Sequence, residues 1–146
     1  MKFWSKKKKE AEPLPKIQLS IDDVRQLITD ASRDLPLHIS LRALVKDDYS
    51  IDFTLLQSKL KGIPMNDFFM SKETFEVFET PEMARIIDEV QRAIDQYVKE
   101  NGKLPVIPGS NQISYFLIRD YLRDEPTVSL YVTKGDNLVT HRRPTQ

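Results

Sequence analysis

Thr80 to Asn101, TPEMARIIDEVQRAIDQYVKEN, is the stretch that decides the fold. Met83, Ile86, Ile87, Val90, Ala93, Ile94, Tyr97 and Val98 recur at steps of three and four, which places them on one stripe of an α-helix that must be buried. Arg85, Asp88, Glu89, Arg92, Asp95, Gln96 and Lys99 fall outside the stripe. Opposite charges stand four apart in Arg85/Glu89, Asp88/Arg92 and Asp95/Lys99, the pattern of a solvated face. Thr80 is placed to cap the helix, Pro81 suits its first position, and Glu82 complements the positive end of its dipole. At the other end Asn101 and Gly102 supply a left-handed stop, and Pro105 prevents a restart.

Working outward towards the N-terminus, LSIDDVRQLITDASRDLP reads as a shorter helix capped by Ser20, with Val24, Leu27, Ile28 and Ala31 inward and Pro36 as its stop. From His38 the hydrophobic period changes to two. HISLRALV and YSIDFTLL, joined by Lys46, Asp47 and Asp48, predict a hairpin. Lys61 to Pro64 is a connector. NDFFM and TFEVFE, around Ser71, Lys72 and Glu73, predict a second hairpin leading into the long helix. Beyond the Pro- and Gly-rich KLPVIPGSN, ISYFLIRDYLRDEP predicts a second short helix burying Ile113, Phe116, Leu117 and Tyr121. TVSLYVTKGDNLVTH then predicts a third hairpin turning at Lys134 to Asn137. No internal repeat is visible. The whole is an α+β chain: an antiparallel sheet built from hairpins, packed on one long helix (about 80–101) and two shorter helices.

At 146 residues with 40% hydrophobic and 30% charged residues, one domain is expected, with residues 17–146 globular and residues 1–16 a disordered basic arm. The absence of cysteine excludes disulfides, thiolate nucleophiles and zinc-thiolate sites from this sequence. No apolar run approaches a membrane span, and no apolar signal core is present, so a cytoplasmic protein is expected. The net charge of zero hides an asymmetry. The arm, MKFWSKKKKEAEPLPK, holds six lysines against Glu10 and Glu12, a net of +4, which leaves −4 for the remainder. Phe3 and Trp4 beside Lys6, Lys7, Lys8 and Lys9 suit the inner surface of an anionic membrane, and clustered cations alone would suit nucleic-acid phosphates.

Reactive chemistry is sparsely provided. His38 and His141 are the only imidazoles, and no Gly-rich phosphate loop, nucleophile elbow or HExxH motif occurs. Asp47, Asp48 and Asp52 are grouped, but they lack the ordered oxygen spacing of a calcium loop and fit turn positions. No cofactor is implied. His141, Arg142 and Arg143 form the second concentration of cationic residues, and with Lys6 to Lys9 they would make one basic surface if the two ends of the chain emerge together. The expected function is a non-enzymatic interaction or regulatory module for a protein partner, held at an anionic surface by the arm. The alternative is a small hydrolase or transferase using His141 and Arg142 with an acidic partner in a concave site.

Two resemblances accompany these readings. AIDQYVKENGKLPV looks like the end of the long helix in type II secretion pseudopilins, which share its tyrosine, Asn-Gly stop and later proline; with about 80 residues preceding that helix, the likeness is the shared grammar of a helix stop. From Gln91 onward, the order AIDQYV, LPVIPG, ISYFLI, EPTVSLYVT and NLVTHRRP, most specifically Leu138 to Arg142, resembles small uncharacterised proteins of Bacillus-type bacteria carrying a domain of unknown function. That resemblance implies no activity and no catalytic residue.

Overall fold

A computed structural model describes residues 14–35 and 40–144. Lys6 to Lys9, the aromatics Phe3 and Trp4, and His38 lie outside the described residues. Among the described residues three α-helices occur in chain order: α1 (Ile21–Asp34), the single turn α2 (Gln57–Leu60) and α3 (Pro81–Asn101). The strands are pairs of two residues each. β1 (Lys16–Ile17) runs parallel to β2 (Ile63–Pro64); β3 (Phe69–Met70) is antiparallel to β4 (Val77–Phe78); β5 (Tyr131–Val132) is antiparallel to β6 (Val139–Thr140). The protein is therefore α+β, and its sheets are small.

α3 is the organiser that its stripe predicts. It packs on β3, β4 and β6, burying Ala84, Ile87, Val90, Ala93, Ile94 and Tyr97. Met83, Ile86 and Val98 flank that core half-buried. Pro81 occupies the first turn, and Gly102, at φ 72°, ends the helix by donating its N–H to Val98 O at 2.8 Å. Thr80 makes no side-chain cap. α1 carries a full capping box, Asp23 N–H to Ser20 Oγ and Ser20 N–H to Asp23 Oδ2, and buries Val24, Ile28 and Ala31 against β4.

Two of the expected elements change. The first hairpin reduces to the bridge Val45–Ile51, flanked by 3-10 turns at Leu41–Leu44 and Phe53–Leu56. The alternation of HISLRALV and YSIDFTLL is overridden because Asp52 caps Thr54 N–H and starts a helical turn that brings Leu56 into the core. The second short helix is a run of turns ending in a 3-10 turn at Arg119–Tyr121. Ile113 and Ile118 are buried there, whereas Phe116 and Leu117, expected inside, are exposed. The other two hairpins form where the alternation places them. At the N-terminal side the folded part starts inside the stretch assigned to the arm: Ile63 and Met65 donate their N–H groups to Pro15 O and Ile17 O, both at 2.8 Å. Gly62 permits this approach, because a Cβ there would stand 2.8 Å from Ile17 Cγ2 and 3.0 Å from Pro15 O.

The charges assigned to the exposed face of α3 divide. Arg85 pairs with Glu89, as spaced. Asp88 is fully buried, and its carboxylate accepts from the Ser71 hydroxyl and from the N–H groups of Lys72 (2.9 Å) and Glu73 (3.1 Å), the turn between β3 and β4. One helical turn on, Gln91 holds the turn between β5 and β6: its Nε2 donates to Asn137 O at 3.0 Å and its Oε1 accepts from Val139 N–H at 2.7 Å. A single helix thus pins two hairpins.

Those hairpins belong to a duplication that the sequence conceals. Residues 49–80 and 111–142 follow the same succession of bridge, turns and hairpin, 62 positions apart. Ile51 N–H donates to Phe68 O and Met70 N–H to Tyr49 O, and their counterparts Ile113 to Leu130 and Val132 to Asn111 do the same, all at 2.9 Å. Ser71 N–H to Glu76 O is repeated by Thr133 N–H to Leu138 O, and Phe75 and Asn137 share a positive φ of 64° and 56°. The buried set Ile51, Leu56, Phe68, Met70 and Val77 maps onto Ile113, Ile118, Leu130, Val132 and Val139, the centres of two separate cores. Identity survives only at Ile51/Ile113, Leu55/Leu117, Leu60/Leu122, Pro64/Pro126, Lys72/Lys134 and Val77/Val139, too few to reveal the repeat without its hydrogen bonds.

Candidate functional site

β6 continues into His141, and its position is set by β4 beside it. The imidazole meets the Phe78 ring edge-on at 4.9 Å between centroids, and its Nδ1 lies 3.2 Å from Glu76 Oε2. The same Glu76 oxygen accepts from the Thr140 hydroxyl at 2.7 Å, while Thr140 Oγ1 accepts from Arg142 N–H. Met70 N–H is turned towards Tyr49, so the N–H and C=O of its antiparallel partner Val77 face α1, where Arg25 donates to Val77 O at 3.2 Å. Between α1 and this edge lies a cavity of about 180 Å³ lined by Arg25, Thr29, Glu76, His141 and Arg142, with Ile28, Phe75 and Val77 as its apolar wall.

The structure therefore gathers His141 and Arg142 with an acidic partner, Glu76, that the sequence reading did not name. Arg143 is exposed beyond them. The cavity is smaller than the several hundred Å³ usual for a ligand site. Its lining hydroxyl, Thr29, donates to Arg25 O, and the Thr140 hydroxyl behind it donates to Glu76. Glu76 Oε1 is buried without a hydrogen-bond partner among the described residues. The aspartates of the first bridge serve their turns: Asp48 accepts from Ser50 and Asp52 from Thr54, and those bonds hold both carboxyls below the usual range.

A second surface emerges when the two halves are compared position by position. In the first half Lys46, Thr54 and Asn66 border one concave face, together with Leu14. Thr54 and Asn66 correspond to Phe116 and Val128, and Lys46, whose N–H donates to Ser50 O, corresponds to Ile107, whose N–H donates to Gln112 O across a turn one residue longer; Ile107, Phe116 and Val128 are 42%, 68% and 38% exposed. The fold is satisfied by polar residues at these three places in one copy, so the exposed apolar trio is not a requirement of folding. Arg119 lies over the Phe116 ring at 4.1 Å, and Tyr115 fastens the 128 region by donating to Val128 O at 2.7 Å. The signal for this patch was in the sequence, but only once the repeat supplies the alignment.

Burial, then the charge of Glu125, pushes the Tyr115 hydroxyl up to about 12 from its ordinary value of 10.0. The neutral phenol is the form that the folded state favours. Its stabilisation is complete below pH 10 and is lost as the pH rises towards 12. Denaturation of the wild type across that window is expected to show a fall in stability that Tyr115→Phe reduces; identical profiles would show that the hydroxyl is free in solution.

Fold and surface together define a duplicated α+β domain in which one helix pins two hairpins and the second copy exposes apolar residues at three places where the first has polar ones. The chain belongs to the family of proteins of unknown function DUF3939, whose model matches residues 14–141. No curated protein and no solved structure matches it. No helix among the described residues is long and apolar enough to cross a membrane.

Proposed function

We propose that the protein is a non-enzymatic interaction module whose docking face is the apolar patch Ile107, Phe116 and Val128. The observation that carries this reading is the internal comparison: apolar residues stand exposed where the same fold elsewhere in the chain uses Lys46, Thr54 and Asn66. An aromatic ring with a guanidinium over it is the kind of group that dominates binding energy at protein interfaces. The alternative, a hydrolase or transferase built on His141 and Arg142, is less well supported, because the cavity beside them, about 180 Å³, is smaller than the several hundred Å³ of an ordinary ligand site.

The test places a photo-crosslinking amino acid at position 116 in living cells, and at position 54 as its structural twin. Adducts with one discrete partner at 116, absent at 54 and lost on adding Ile107→Lys and Val128→Asn, are expected. Equal crosslinking from both positions, or none from 116, would overturn the assignment of the face.

A further inference from the structure

The duplication also indicates how a partner is held. In the first half an extended segment, Leu14 to Ile17, lies parallel to the edge at Ile63–Pro64. It is fixed by two backbone bonds, from Ile63 N–H and Met65 N–H, and Leu14 reaches the face bordered by Lys46, Thr54 and Asn66. The corresponding edge in the second half is Glu125–Thr127, with a proline in the same place, Pro126 for Pro64. It follows the same bends, yet the N–H groups of Glu125 and Thr127 have no acceptor among the described residues. Beside it, the surface corresponding to the one Leu14 reaches is the apolar trio.

Resting on the reading of that trio as a docking face, the geometry points to strand addition: residues 125–127 take an extended segment of a partner protein, parallel to them, as residues 63–65 take the chain's own segment. The occupant donates two carbonyls, at positions two residues apart, to Glu125 and Thr127. Its residue just before the first carbonyl is large and apolar and covers Ile107, Phe116 and Val128, as Leu14 covers their counterparts. Its fourth residue is glycine. This last requirement comes from Asp124, which stands where Gly62 is needed to admit Ile17. A Cβ at 124 in the same geometry would stand 2.8 Å from a branched side chain in that place and 3.0 Å from the first carbonyl; glycine removes the first contact, and the occupant's backbone lies a few tenths of an ångström further out to relieve the second, so the second edge rejects the segment that fills the first. Two edges of one fold are thereby given different ligands by one residue.

The test is a titration of the full-length, isotopically labelled protein with two synthetic peptides, EPLPKGQL and EPLPKIQL; the second is the chain's own sequence from Glu12 to Leu19. The glycine peptide is expected to shift the amide resonances of Glu125 and Thr127 and to bind at least about tenfold more tightly than the isoleucine peptide, a difference of about 1.4 kcal/mol. Asp124→Gly should erase that preference. The triple change Ile107→Lys, Phe116→Thr, Val128→Asn, which installs residues already tolerated by the other half, should weaken the glycine peptide about tenfold or more. Shifts at Ile107, Phe116 and Val128 without any at Glu125 and Thr127 would overturn strand addition while leaving the docking face in place. Shifts at neither set would overturn both, and shifts confined to Ile63 and Met65 would mean that the peptide merely replaces β1.

Discussion

Asp88→Ala is expected to destabilise the protein by about 3 kcal/mol, read as a lower denaturation midpoint at unchanged slope. The carboxylate is fully buried and receives a hydroxyl and two backbone N–H groups from the turn at 71–73. Hydrogen bonds to a charged acceptor contribute about 1.5–3 kcal/mol, and truncation leaves three donors without it. Lys72 and Glu73 can recover water; the buried Ser71 hydroxyl cannot readily do so. Asparagine should not rescue fully, because an amide NH₂ would face one of the donors. On the same helix Glu89→Ala breaks only the exposed pair with Arg85, and a change within about 1 kcal/mol is expected. Equal losses from Asp88→Ala and Glu89→Ala would show that the turn stands without its acceptor.

Val90→Asp is expected to abolish the cooperative unfolding transition altogether. Val90 has no exposed surface and sits at the centre of the α3 stripe, so the substitution both empties an apolar site and buries a charge with no partner. Gln96→Asp, on the solvent face of the same helix, makes the same change of charge and should leave the melting transition within a few degrees of the wild type. A soluble Val90→Asp protein with a sharp transition would mean that the core built around α3 is not required for the fold.

The two substitutions mark different degrees of legibility. Val90 is announced by its neighbours at three and four residue spacing, and local periodicity is enough to bury it. Asp88 has the same local credentials as Glu89: each stands four residues from an arginine. Only the arrival of Ser71, Lys72 and Glu73 from another element makes one of them an acceptor in the core and leaves the other in solvent. Phe116 shows the converse error. A large aromatic three residues after Ile113 looks like part of an apolar face, but the turn begun at Ser114 puts Ile118 inward and Phe116 outward. His141 was singled out by type, and its partner Glu76, distant in sequence, was not.

What the amino-acid order determined by itself is the set of locally encoded elements: α3 and its stop at Gly102, the capped start of α1, and the hairpins at 69–78 and 131–140, each set by periodicity, caps or turn residues acting within a few positions. Tertiary structure alone decided that these elements form two copies of one unit and that Asp88 and Gln91 face inward. It also paired the edge at 63–65 and left the one at 125–127 without a partner among the described residues. The physical reason is that a hydrogen bond across tens of residues leaves no periodic trace, and that a core accepts many apolar combinations of similar volume. The second copy could therefore diverge almost completely while keeping its backbone bonds.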